Sequence, residues 1–105
     1  MKIIYNKFIP IKGFSATVIF GRIYARKEFK PLSERTVRHE EIHALQAKDC
    51  GGWIRFYLRY LIYWIRFGYR NNPFEIEAYG NDFKHDYLEK RQKFAWKKEL
   101  KIAFR

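Results

Sequence analysis

Hydrophobic and polar positions along the chain change period near residue 33. Residues 2–9 and 15–29 are rich in Ile, Val, Tyr, Phe and Thr, with Pro10, Lys12 and Gly13 between them, a pattern that predicts two β segments joined by a turn. In the second run Thr17, Ile19, Gly21 and Ile23 alternate with Val18, Phe20, Arg22 and Tyr24. Two strands alone are marginal, so helices must cover them. Pro31 ends this portion, and Ser33 is a candidate N-cap for a helix over 34–49, with Glu34 in its first turn, Val37, Ala44 and Leu45 as its apolar side, and Gly51-Gly52 as its stop.

Two further helices follow. Residues 53–68 form a nearly continuous apolar run in which Arg55, Arg59 and Arg66 fall near one stripe, predicting a helix whose other faces are buried while the guanidinium groups reach solvent or an acidic surface. Three arginines also argue against a membrane span. Asn71-Asn72-Pro73 breaks the chain and starts a helix over 73–91, with Asn72 as N-cap, Pro73 at its first position and Glu75 at its third. The tail, 92–105, is basic and aromatic. The expected fold class is α+β: a single domain over 1–105, with a small N-terminal hairpin or sheet packed on three to four helices.

Composition sharpens this picture. At 105 residues the chain is one domain in size, and with 48% hydrophobic and 20% aromatic residues it is not a disordered polymer. Cys50 is the lone cysteine, which excludes an intrachain disulfide framework and fits a reducing compartment. Asn6 and Lys7 interrupt the first apolar run before a signal-peptide core can form, so the expected location is cytoplasmic. The net charge of +11 brings in two other classes. One is a nucleic-acid-binding module, in which Lys and Arg neutralise phosphates and aromatics stack on bases; no known fold signature supports it, and nucleic acid is the disfavoured partner. The other is peripheral association of the 53–69 segment and the tail with an anionic membrane surface.

The sharpest chemical signal is His39-Glu40-Glu41-Ile42-His43, an H-E-x-x-H string. Histidines at i and i+4 project from one helical face and can reach a common Zn²⁺, one per chain, while the Glu after the first His stands by the open coordination position to handle a water's proton. With 3 His and 8 Glu in the chain, chance gives the string in roughly six of a thousand such sequences. The competing reading is a solvated, salt-bridged helix face. Glu41 is explained by Arg38 three residues earlier, whereas no cation at helical spacing accounts for Glu40. A third ligand is needed; Cys50 is poorly placed just beyond the same helix, so acids are the better source. Glu75 and Glu77 are the candidates, at i and i+2 and therefore not on one face, with a capping box as the structural alternative for Glu75.

H-E-x-x-H followed, 75 − 43 = 32 residues later, by a helix bearing E-x-E-A resembles the gluzincin metallopeptidases, including their minimal soluble members and short bacterial proteins of that type. Their membrane-embedded relatives often carry E-x-x-A-D, which Glu75-Ile76-Glu77-Ala78-Tyr79 matches at Glu and Ala but not at Asp. The resemblance implies zinc held by His39, His43 and Glu75, with Glu40 as general base and acid in hydrolysis of a peptide or protein substrate. Tyr79 stands where an Asp usually supports the first His. Tyr69, Tyr79 and His85 are candidate donors to the oxyanion or supports behind the ligands. The resemblance further implies that the strand Ala16 to Tyr24 holds substrate extended, and that a tail beyond about Gln92 could lie over the cleft and keep the enzyme latent.

Overall fold

The structure, a computed structural model, describes residues 1–99. It is α+β, with a three-stranded sheet against helices. Strands β1 (Ile3–Asn6), β2 (Ala16–Ile19) and β3 (Arg22–Arg26) lie in the order β1-β3-β2, with β1 parallel and β2 antiparallel to β3. The central strand buries Ile23 and Ala25 completely, while β2 is an edge strand whose Val18 carbonyl accepts from the Tyr57 hydroxyl at 3.3 Å.

The expected long run over 15–29 is broken into a hairpin. Phe20 and Gly21 have φ of 47° and 85°, the left-handed pair that a two-residue hairpin turn requires. Gly21 adopts this freely. Phe20 does not, and its position is held because its backbone N–H donates to the Tyr57 hydroxyl at 3.0 Å while the two rings pack edge to face. Residues 27–29 form one turn of 3-10 helix rather than strand.

Helix α1 (Glu34–Asp49) begins where expected, with Ser33 Oγ accepting from the Thr36 amide at 3.1 Å. Its inward face is not the expected one. Val37, Ala44 and Leu45 are only half-buried, while His39, Ile42, His43 and Gln46 form the buried stripe. A helix that turns imidazoles and an amide inward breaks the ordinary apolar pattern, which is where functional sites are expected.

Helix α2 (Trp53–Phe67) departs further from expectation, since Phe56 is its one buried residue. Phe56 packs with Phe74, Trp96 and Ala47 into the aromatic core, and the opposite face is uncovered by any described residue. Trp96, 1% exposed, makes the tail part of that core, so trimming beyond Gln92 would remove a core residue. Residues 100–105 lie outside the described residues.

Helix α3 (Pro73–Asn81) starts on the Asn72 cap, whose Oδ1 accepts from the Phe74 amide at 3.0 Å. It ends ten residues short of the expected 91. Arg38 Nη1 donates to the Asp82 carbonyl at 2.6 Å, taking an acceptor from the helix end. The chain then reverses through α4 (Tyr87–Lys90), and the reversal has a visible cause. Arg91 Nε reaches Glu77 Oε2 and its Nη2 reaches Asp49 Oδ2, each at 2.7 Å. In a continuous helix Arg91 would lie about 21 Å beyond Glu77.

Candidate metal centre

Helix α1 places His39 and His43 one turn apart, and α3 crosses it to bring Glu75 between them. Glu75 Oε1 faces His39 Nε2 at 3.0 Å and His43 Nε2 at 3.1 Å. All three residues are buried, and their donor atoms lie within 4.8 Å of one another. A tetrahedral zinc with bonds near 2.0–2.1 Å needs its ligand atoms about 3.3 Å apart, so the two Glu75–histidine spacings of 3.0 and 3.1 Å would open slightly.

The far nitrogen of each ring is also held. His39 Nδ1–H donates to Asp82 Oδ2 at 3.0 Å. His43 Nδ1 lies 2.7 Å from Gln46 Oε1, while Gln46 Nε2 donates to the Phe74 carbonyl and to Glu77 Oε1. That division of the amide fixes its oxygen as the acceptor and His43 Nδ1–H as the donor. Both rings therefore turn Nε2 toward the same point, the orientation that outer hydrogen bonds impose on metal-binding histidines. Two imidazoles and one carboxylate with a free approach match zinc's preference for a site with an open position.

Glu75 and His43 are strongly coupled. Burial works against ionising either group, but the pairing overrides it: the Glu75 carboxylate raises His43 to about 9, and the two histidines, with the Tyr60 hydroxyl donating to Oε2 at 2.5 Å, hold Glu75 well below the usual carboxylate range. Burial also pushes the Tyr60 hydroxyl upward, so it remains a donor at neutral pH. A zinc ion held by His43 would displace its proton. Below pH 9 the apparent zinc affinity is therefore expected to rise about tenfold per pH unit and then level off, measured by competition titration between pH 6 and pH 9. In the ion-free protein the raised His43 value has its own consequence. Its stabilisation is complete below the unfolded value of about 6.5 and is lost as pH rises through about 9.

The cluster lies in a cavity of about 550 Å³ lined on one side by β2 residues Ala16, Thr17 and Val18. Glu40 lines it too. No lysine or arginine is paired with Glu40 among the described residues, and burial raises its carboxyl despite the nearby histidines and the Val18 backbone, which pull the other way. Tyr69 and Tyr79 line the same cavity with their hydroxyls 2.9 Å apart, and the Tyr79 ring packs against His39 at 4.4 Å between centroids.

Three expected placements differ in the structure. Glu77, the alternative ligand, points away from the histidines and is buried among Gln46, Tyr87 and Arg91, because i and i+2 on a helix face different directions. His85 is exposed and does not line the cavity; its Nδ1 lies 3.3 Å from Arg38 Nη2. Arg38 does not pair with Glu41, since the short reach to the end of α3 takes its guanidinium to the Asp82 carbonyl instead.

The sequence reading missed Asp82, Gln46 and Tyr60. Asp82 takes the supporting position that Tyr79 leaves open, because it caps the C-terminus of α3 in a helical conformation two turns after Glu75 and so lies on the same side. That i+7 spacing was the available signal. Arg35 Nε holds the other Asp82 oxygen at 2.7 Å. Asp82→Asn is expected to weaken zinc binding about 10–100-fold, read as a shift in chelator competition at constant pH. Comparison of the chain with family models, curated proteins and solved structures finds no match.

Proposed function

We propose that the protein is a zinc-dependent metallopeptidase. The observation that carries this reading is the convergence of His39, His43 and Glu75 on one point beside the buried carboxyl of Glu40, inside a cavity of about 550 Å³. The two Nε2 atoms and the Glu75 carboxylate would hold zinc, which supplies Lewis acidity toward a carbonyl oxygen and toward water.

The chain's own residues supply the rest. Glu40, buried and with its carboxyl raised, accepts a proton from the attacking water and returns it to the departing amine, since a base works best when its proton affinity is drawn toward the working pH. The Tyr69 and Tyr79 hydroxyls offer O–H donors to the oxyanion; burial raises Tyr69, so it keeps its proton at neutral pH. The outer edge of β2 borders the cavity at Ala16 to Val18, and an extended peptide can add there as a further strand by displacing the Tyr57 hydroxyl, which donates to the Val18 carbonyl at 3.3 Å. Latency by the tail has no support from residues 92–99, none of which lines the cavity.

The test is hydrolysis of a labelled, unfolded protein by the chain loaded with one equivalent of zinc. Turnover that a chelator abolishes and added zinc restores is the expected result. Zinc-loaded chain that leaves unfolded protein and short peptides intact would remove the peptidase assignment.

A further inference from the structure

The outward face of α2 has no partner among the described residues. Ile54, Leu58, Leu61, Ile62 and Ile65 are 48% to 78% exposed, and at about 100° per residue they fall within an arc of roughly 100°. Arg55, Arg59 and Arg66 occupy the adjoining strip, about 100–140° from Ile54 on the same count. The Arg59 guanidinium lies 5.9 Å over the Trp96 ring, with the exposed Lys97 beside the same ring. No acidic residue occurs between Asp49 and Glu75, so α2 is apolar at the centre of this face, cationic along one flank and carries no carboxylate of its own. At the turn before β3, Phe20, 59% exposed and packed on Tyr57, extends the apolar surface.

A row of this kind needs a cover, and charge decides among the candidates. A second copy of the chain would bring two arginine strips and two charges of +11 together, which is repulsive. A span is also excluded for this helix: 15 residues reach about 22 Å, short of a hydrocarbon core of about 30 Å, and no described helix is long and apolar enough to cross a membrane. We propose that α2 lies in the plane of an anionic bilayer surface, its aliphatic row in the acyl boundary and Arg55 and Arg59 on lipid phosphates. Lysine and arginine stems bury along apolar surface while their heads reach a polar layer, and an interfacial helix gains from both apolar area and anionic lipid. Tyr57 and Tyr60 of the same helix line the cavity, so docking holds one cavity wall at the membrane. This inference does not depend on zinc or on peptidase activity.

Flotation of the full chain with vesicles tests it, comparing pure phosphatidylcholine with a 70:30 mixture of phosphatidylcholine and phosphatidylglycerol. The anionic vesicles are expected to bind the chain and the neutral ones to bind it poorly. Leu58→Gln/Ile62→Gln/Ile65→Gln, all at exposed positions, is expected to weaken binding by about tenfold or more, and Arg55→Gln by about fivefold. Circular dichroism checks that the triple variant folds; if it does not, Leu58→Gln and Ile65→Gln are read singly. Undiminished binding by folded variants of the aliphatic row would overturn the proposal by assigning attachment to net charge alone. Equal binding to neutral vesicles, or a lipid-free dimer that the same substitutions dissolve, would overturn it as well.

Discussion

Glu40→Gln is expected to retain the fold and one zinc per chain while turnover falls by about 10²–10⁴-fold, the range carried by a positioned general base. The amide has the size of the carboxylate but cannot take a proton from water. Glu40 is not among the residues whose donor atoms converge on the candidate metal position, so metal content is expected to stay unchanged. Its burial opposes ionisation, and removing that charge is expected to leave stability unchanged or slightly raised. The variant thus separates a proton-handling residue from a structural one. Turnover equal to that of the parent chain at matched zinc occupancy would leave Glu40 without a catalytic role.

Glu77→Ala is expected to act on stability, by about 3–5 kcal/mol, because removing one partner of a buried ion pair strands the other. Arg91 is the stranded group: its side chain is 4% exposed, and it would keep only the Asp49 arm of its bridge. The Tyr87 hydroxyl and the Gln46 amide lose a partner in the same change. Since Gln46 also orients His43, any residual folded protein is expected to bind zinc more weakly. For a domain of this size such a loss corresponds to a fall in Tm of roughly 4–8 °C per kcal/mol. Urea unfolding of the zinc-free chain measures it. Glu75→Ala provides the contrast, since its direct effect is to take away a candidate metal ligand. A Glu77→Ala chain as stable as the parent would mean that the Asp49–Arg91–Glu77 bridge does not hold α3, α4 and the end of α1 together.

What could be read from the chain follows from the range of each signal. The starts of α1 and α3 were legible because capping is local: Ser33 and Asn72 each bond an amide two or three residues on. The pairing of His39 with His43 was legible because i and i+4 share a face by helical geometry alone. The end of α3 was not, because it depends on Arg38 and Arg91 arriving from residues distant in sequence. The break at Phe20-Gly21 was hidden by an alternation that continues through both strands, although Gly21 marked the turn. Choosing between Glu75 and Glu77 needed the crossing of α3 over α1, which no local pattern encodes. Asp82 was hidden for another reason: the E-x-x-A-D spacing puts the supporting acid at position 79, whereas the same side of the chain recurs three residues later, at the C-cap of α3. The exposed row of α2 was read as buried because apolar periodicity shows which residues share a face but not whether anything covers it.

The most direct measurement is calorimetric titration of zinc into the parent chain and into His39→Ala and His43→Ala, at one pH and with folding verified. The account predicts one site per chain in the parent, and loss of that site in both variants with the rest of the fold retained. A parent chain that binds no zinc, or variants that bind it as tightly as the parent, would contradict a metal centre built from His39, His43 and Glu75.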